Sequence, residues 1–161
     1  MCIRDSYWVD EAAGRAKLLG RDADVGQPLD YQTTRLGFRD IARNTDTRTM
    51  IATVIPPAFH GNKLPTVRVF DDEGQPLLDP VTQLYLCAVW NSFVLDWVVR
   101  LKVTTTLNFF YVYQLPVPRL TPVDPAFAPI VDRAARLICT TPEYDALAAA
   151  VGLGDATHGV T

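Results

Sequence analysis

The side chains best suited to chemistry in this sequence are basic residues that cluster among short polar ones between residues 35 and 68. This stretch has six basic and two acidic residues, a local charge of +4, in a chain of 161 residues whose net charge is −3. Arginine, lysine, asparagine and threonine side chains contact phosphates and base edges in nucleic acids. The candidate contact residues are Arg39, Arg43, Asn44, Thr45, Thr47, Arg48 and Lys63.

Three of these candidates, Arg43, Asn44 and Thr45, lie at a predicted turn and are therefore best placed to reach a ligand. Arginine can bridge guanine with two hydrogen bonds, and asparagine can bridge adenine in the same way. Arg39 and Arg48 have two open interpretations, which are contact with DNA and pairing with nearby aspartates or carbonyls that braces the hairpin. If four cations met phosphates, the log–log salt slope of binding would be about −3.6.

The other reactive residues do not form a recognisable catalytic centre. His60 and His158 are far apart, and neither has a metal-ligand partner at helical or loop spacing. Ser92 lies in an apolar run without a nucleophile-elbow sequence, and the chain has no glycine-rich phosphate loop. The acidic run 71–73 could bind a cation, but a solvated turn is the simpler interpretation. The sequence therefore predicts binding without catalysis.

The cysteines and the longest apolar run indicate an intracellular protein outside the membrane. Cys2, Cys87 and Cys139 are odd in number and widely separated, which predicts buried thiols in a reducing cytoplasm. Residues 81–101 are long enough to span a bilayer, but five polar or charged residues interrupt them. A buried core helix is the better interpretation of this run, and no membrane partner is expected.

A hairpin is expected to carry the basic cluster. Alternation over residues 36–41 and a β-branched run at 49–55 predict two strands, with a polar turn at 44–47 between them. The pair Pro56-Pro57 ends the second strand. The β-branched and aromatic composition of residues 65–70 and 107–113 predicts two further strands.

Helices are predicted on both sides of these strands from their start and stop signals. Asp10 begins a helix over 11–19, which Gly20 ends, and Asp79-Pro80 begins the longest helix, to about residue 103. Two more helices run from Pro125 or Pro129 to 138 and from Thr141-Pro142 to 151. The predicted fold class is α+β, with a small, mostly antiparallel sheet packed on a long central helix and with C-terminal helices.

Three segments of the chain resemble one protein family. Residues 37–57 contain GFRDIARNTDTRTMIA followed by IPP, which is similar to a signature FRDI…T-x-x-RT-x-IA…IP. Residues 90–97, WNSFVLDW, are similar to a helix LNS-x-x-x-D-[WY], with Trp90 where leucine is usual. Residues 107–118 are similar to LNFF-x-x-x-Q-[LI]-P-[VI]-P. The family is the Type IIG and related Type I single-polypeptide restriction–modification enzymes.

The resemblance covers nearly all of residues 7 to 159 and implies a target-recognition domain of the TaqI-like C-terminal type. It implies double-stranded DNA and a methyltransferase domain of the same polypeptide as partners. In the parent enzyme, the reaction would transfer a methyl group from S-adenosylmethionine to N6 of a flipped adenine. The catalytic Asn-Pro-Pro-[Tyr/Phe] motif is absent, since the only Pro-Pro pair follows Ile55. We therefore expect no cofactor and no catalytic residue in this chain.

The sequence also predicts domain boundaries and leaves two alternative functions open. Residues 1–6 resemble a translated sequencing adapter, although a short natural leader is an alternative; residues 7–151 are the expected domain, and 152–161 a truncated tail. The first alternative function is a structural domain that packs on the methyltransferase domain without reading bases. The second is a small-molecule enzyme, which would need a deep pocket with convergent titratable groups.

Overall fold

The computed structural model of the chain describes residues 9–153, and in that range it has the predicted α+β fold. The adapter-like segment 1–6, Cys2, His158 and most of the predicted tail lie outside the described residues. The elements in chain order are α1 (Glu11–Leu19), β1 (Arg35–Phe38), β2 (Ala52–Ile55), α2 (Pro80–Trp90), α3 (Phe93–Arg100), α4 (Phe109–Val112), α5 (Phe127–Ile138) and α6 (Asp145–Ala150).

The sheet consists of the predicted hairpin pair. Strands β1 and β2 are antiparallel, with Arg35 opposite Ile55 and Phe38 opposite Ala52. Along the other edge of β1, the predicted strand 65–70 makes only one isolated antiparallel bridge, at Thr66. The amides of the following residues, 69 and 70, instead donate to the carboxylate of Asp30 at 3.1 and 3.2 Å, which ends the pairing. The prediction of a regular strand at 65–70 was therefore wrong.

The long helix predicted over residues 80–103 is two helices, α2 and α3, separated at Asn91 and Ser92. The Asp79 carboxylate caps α2 by accepting from the Thr82 amide at 2.9 Å, and Pro80 follows, as predicted. The Ser92 hydroxyl accepts from the Leu95 amide at 3.2 Å and begins α3. Asparagine and serine favour such caps because their side chains satisfy backbone groups that a helix end leaves free. Val94, in the first turn of α3, lies in solvent.

The strand predicted over residues 107–113 is wrong, because this segment contains the short helix α4. Phe109 and Val112 face the core, whereas Phe110 and Tyr113 are exposed, which is a spacing of three and not the alternation of a strand. The Phe109 ring packs edge-on against Phe38 at a centroid separation of 5.2 Å. Aromatic and β-branched composition alone therefore favoured a strand that tertiary packing does not use.

The core lies between the sheet and α5, with α2 in the middle. Helix α2 contacts both strands on one side and packs along α5 on the other. Phe38 is fully buried and meets Trp90 of α2 edge-on at 5.9 Å. Cys87 and Cys139 are buried free thiols, as predicted, and burial raises the pKa of Cys87 to about 11. None of the helices in residues 9–153 has the length and apolar character needed to cross a membrane.

Candidate nucleic-acid interface

The predicted contact residues lie mainly on one loop, residues 39–51, which joins β1 to β2; we call it the β1–β2 loop. The part of the loop that leads into β2 is fixed by Asp96, a residue of α3 that is only 4% exposed. The Asp96 carboxylate accepts hydrogen bonds from the amides of Thr49 and Met50 at 2.8 and 2.7 Å. It also accepts from the Arg100 guanidinium at 2.9 Å. A single buried carboxylate thus ties the loop to α3.

The environment of Asp96 favours its ionised form. Burial opposes ionisation, but the Met50 amide, the Arg100 guanidinium and the Thr49 amide together outweigh it and hold the pKa of Asp96 below its usual value. The Arg48 guanidinium lies 3.7 Å from the same carboxylate. Asp96 is therefore charged at neutral pH, and its charge is part of what holds the loop.

Arg100 makes a second connection between α3 and the β1–β2 loop. Its guanidinium donates to the backbone carbonyls of Asn44 and Thr47 while it bonds to Asp96. Backbone carbonyls of a turn that find no partner would otherwise depend on water. Because Arg100 binds the carbonyl oxygens, this contact does not use the side chains of Asn44 and Thr47.

Asn91, between α2 and α3, fixes the beginning of β2. Its side-chain oxygen accepts from the Ala52 amide at 3.1 Å, and its side-chain nitrogen donates to the Ala52 carbonyl at 2.8 Å. The amide therefore pairs with Ala52 as another strand would. The Asn91 carbonyl in turn accepts from Arg48. Two of the segments that carry the family resemblance, 37–57 and 90–97, thus bind each other directly.

Two further sets of bonds stiffen the β1–β2 loop. Within it, the Arg39 guanidinium donates to the Asp46 carboxylate and to the Arg48 carbonyl, both at 2.9 Å. Beside it, residues 105–107 pair with residues 40–42 through an amide donated by Ala42 and another donated by Leu107. The loop is therefore a rigid support despite its length.

The end of the β1–β2 loop, residues 43–47, which we call the loop tip, is exposed. Arg43, Asn44, Thr45 and Thr47 lie in solvent, and within residues 9–153 none of their side chains makes a hydrogen bond or an ion pair. The fifth polar residue of the tip, Asp46, instead accepts hydrogen bonds from Arg39 and from the Arg43 amide. The tip therefore presents one guanidinium, one amide and two hydroxyl groups.

The remaining predicted contact residues already have protein partners. Arg39 and Arg48 make the bracing contacts that formed the alternative interpretation, and Arg48 also lies over the Phe93 ring at 4.7 Å. Lys63 is exposed at the base of the loop and pairs with the buried Asp40 at 2.8 Å. Arg35, which added to the sequence charge of this region, is buried and donates to the Ala58 carbonyl.

Cations exceed carboxylates around the β1–β2 loop even after this pairing. Five cationic side chains lie in or beside the loop with three carboxylates, which leaves a surplus of two positive charges in an acidic chain. The cations are Arg39, Arg43, Arg48, Lys63 and Arg100, and the carboxylates are Asp40, Asp46 and Asp96. The surplus is local, as a phosphate-binding surface on an acidic protein requires.

The sequence did not predict the residues that position the loop, which are Asp96, Arg100 and Asn91. The signals were present, since an aspartate in an otherwise apolar helical run needs buried partners. An Asn-Ser pair inside a predicted helix likewise signals two caps. What the sequence could not supply was the identity of the partners across the fold, Thr49, Met50 and Ala52, which lie more than 35 positions away.

Two cavities elsewhere in residues 9–153 bear on the enzyme hypothesis. The larger, about 790 Å³, is apolar and has Arg133 as its only charged lining residue. The smaller, about 460 Å³, contains titratable groups, but its principal members bind protein partners. Asp30 accepts two backbone amides, Arg68 pairs with an aspartate at 2.9 Å, and His60 contacts Thr66. Neither cavity gathers free reactive groups around one point.

Comparison with known proteins adds no assignment: no family model, curated protein sequence or solved structure matches the chain.

Proposed function

We propose that this chain is the DNA-binding specificity portion of a restriction–modification adenine-specific DNA methyltransferase. In this proposal the loop tip contacts double-stranded DNA and positions it, and a catalytic domain elsewhere in the parent polypeptide transfers the methyl group. S-adenosylmethionine binds that other domain, and the chain itself holds no cofactor. Such an enzyme works in the cytoplasm, where the chromosome lies.

The observation that carries the proposal is the contrast between the rigid backbone of the β1–β2 loop and its free tip side chains. Arg43 and Asn44 make no polar side-chain contact within residues 9–153, while the backbone around them is bound by Arg100 and Asp96. Side chains held this way lose little further backbone freedom on binding, which favours affinity. Their chemistry suits phosphate oxygens and the major-groove edges of guanine and adenine.

The proposal is tested by selecting duplexes from a random-sequence DNA pool with the full chain and with two variants. We expect the wild-type chain to enrich a defined motif. Asn44→Ala should relax the preference at one position, because each good bidentate base contact contributes about 1–3 kcal/mol to discrimination. Arg43→Ala should weaken binding. Asn62→Ala, an exposed amide outside the tip, serves as the control.

A second candidate function, a structural domain that packs on the catalytic domain without reading bases, is favoured by the apolar surface of α3. Phe93 and Trp97 on this helix are 81% and 62% exposed. Exposed apolar patches mark interaction surfaces. If neither tip variant changes affinity or motif, this structural role replaces DNA recognition.

A further inference from the structure

The smaller cavity, about 460 Å³, lies at the end of β1 that is away from the β1–β2 loop, since Arg35, the first residue of β1, lines it. Its volume falls within the range of about 300–1,000 Å³ that is typical of small-molecule sites. Apolar walls come from the end of α1, from residues 28–31 and from Phe70. The charged lining residues are Asp22, Asp30, Arg35, Arg68, Asp71 and Asp72.

Arg35 is a buried cation without a counter-ion. The residue is 4% exposed, and burial lowers the pKa of its guanidinium because the charged form loses hydration. Within residues 9–153 this guanidinium donates to the Ala58 carbonyl and makes no ion pair, and its buried Nε has no partner. A guanidinium has five N–H donors and binds a carboxylate through two of them. A carboxylate in the cavity would supply the missing partner.

Asp30 carries the opposite charge on the same cavity but does not pair with Arg35. Its charge raises the pKa of Arg35, so the two groups interact at a distance, yet they form no ion pair. The amides of residues 69 and 70 both donate to Oδ1 of Asp30, at 3.1 and 3.2 Å. Its Oδ2 accepts no hydrogen bond from the part of the chain that the structure describes. A ligand with a negative and a positive end could therefore bind both residues.

The charge of the whole lining disfavours a simple anion. Four carboxylates line the cavity together with two guanidinium groups. Asp71 accepts two backbone amides and Asp72 pairs with Arg68 at 2.9 Å, so neither of them neutralises Arg35. An anion bound to Arg35 would be repelled by this excess of negative charge, whereas a cationic group on the same ligand would be attracted. The same repulsion disfavours a polyanion such as DNA.

We propose that the smaller cavity binds a zwitterion, a free α-amino acid with an apolar side chain. Its carboxylate contacts Arg35, and its ammonium group contacts Oδ2 of Asp30. Its side chain packs against the apolar wall, which includes Leu18, Leu19 and Phe70. A ligand of this kind satisfies both unpaired charges and leaves the net charge of the cavity unchanged.

Isothermal titration calorimetry on the full chain at neutral pH tests the proposal with L-leucine, L-phenylalanine and L-glutamate. We expect the two apolar amino acids to bind and L-glutamate, which adds negative charge, to bind at least about tenfold more weakly, a difference of about 1.4 kcal/mol. Two analogues of the tighter ligand then separate its ends. The amide lacks the carboxylate and the N-acetyl derivative lacks the ammonium group, and each should bind at least about tenfold more weakly than the parent amino acid.

Two variants assign the two ends of the ligand to their residues. Asp30→Asn keeps an oxygen that can accept from the amides of residues 69 and 70 but removes the charge. It should weaken the amino acid at least about tenfold and leave the N-acetyl derivative unchanged. Arg35→Met should remove the preference for the amino acid over its amide. Ala58 is exposed, so its carbonyl can bond to water in this variant.

The matched control is Asp124→Asn, which should bind the amino acid as the wild-type chain does. Asp124 also accepts a backbone amide, from Thr121 at 2.7 Å, but it does not line the cavity. Circular dichroism shows whether each variant is folded. If Arg35→Met does not fold, the ligand series on the wild-type chain and Asp30→Asn still decide the question.

Several results would overturn the proposal. Absence of binding by both L-leucine and L-phenylalanine is one of them. Equal binding of the parent amino acid, its amide and its N-acetyl derivative is another, since the ligand would then be recognised without its charges. An unchanged affinity in Asp30→Asn would exclude the ammonium contact. The loop tip is not part of this cavity, so the DNA-binding proposal stands or falls separately.

Discussion

The two sides of α3 differ in chemical character. On one side, Asp96 and Arg100 bind the backbone of the β1–β2 loop through charged hydrogen bonds, and the loop tip leaves polar side chains free. On the other side, Val94 borders an apolar groove that no described element covers. One short helix therefore fixes a polar loop on one side and exposes apolar side chains on the other.

The largest effect expected from this comparison is the loss of Asp96. Asp96→Ala leaves the buried amides of Thr49 and Met50 without this acceptor and removes the carboxylate partner of Arg100. Breaking a buried charged network in this way costs about 3–5 kcal/mol. Urea denaturation followed by tryptophan fluorescence measures the free energy of unfolding. Asp132→Ala, which removes an exposed pair on α5, is the control and should cost no more than about 1 kcal/mol.

A smaller effect is expected at Asn91. Asn91→Ala removes both bonds to Ala52, which leaves the buried Ala52 amide without an acceptor and its carbonyl with only the Cys87 thiol as a donor. The expected loss in the free energy of unfolding is about 1–3 kcal/mol. Hydrogen exchange at the Ala52 amide should accelerate in the variant. Unchanged exchange would show that Asn91 does not fix the start of β2.

The charge on Asp96 predicts a pH dependence. Its folded pKa lies below its usual value, so the unfolded chain binds a proton more readily than the folded one. The stability that the charged group contributes is therefore complete above the unfolded pKa of about 3.9 and is lost as pH falls through the folded pKa. Melting temperatures measured from pH 6 to pH 2 should fall more steeply for the wild-type chain than for Asp96→Asn. Parallel curves would contradict the assignment.

The sequence predicted much of the fold, and its errors have identifiable causes. The start of α1 at Asp10, the start of α2 at Asp79-Pro80 and the β1–β2 pair follow from local signals that the structure uses. The prediction of a strand at 107–113 is wrong because aromatic composition favours a strand, whereas the core-facing side chains of this segment have the spacing of a helix. The prediction of one continuous helix over residues 80–103 is wrong because Asn91 and Ser92 cap the ends of two separate helices.

Only the exposed residues of the candidate site could be predicted from the sequence. That Arg39 and Arg48 would brace the loop remained one of two possibilities, since charge alone cannot say whether a partner lies within reach. The structure supplies the partners, Asp46 and the Asn91 carbonyl. Tertiary contacts that join distant positions carry this information, and no local pattern does.

The smallest effect on stability is expected at Leu137 of α5, which lines the apolar groove opposite α3. Leu137→Ser removes a side chain that is mostly in solvent, so the free energy of unfolding should change by no more than about 0.5 kcal/mol. Urea denaturation checks this expectation. A loss of several kcal/mol would show that Leu137 is buried in the folded chain and that the groove is already closed.

The most direct test of the central claim is the salt dependence of duplex binding by the wild-type chain and by Arg43→Ala. Arg43 has no carboxylate partner among the described residues, so its contact with a phosphate should release a counterion. The account predicts that log K against log salt concentration becomes shallower by about 0.9 in the variant, with stability unchanged. Identical slopes and affinities for the two proteins would contradict it.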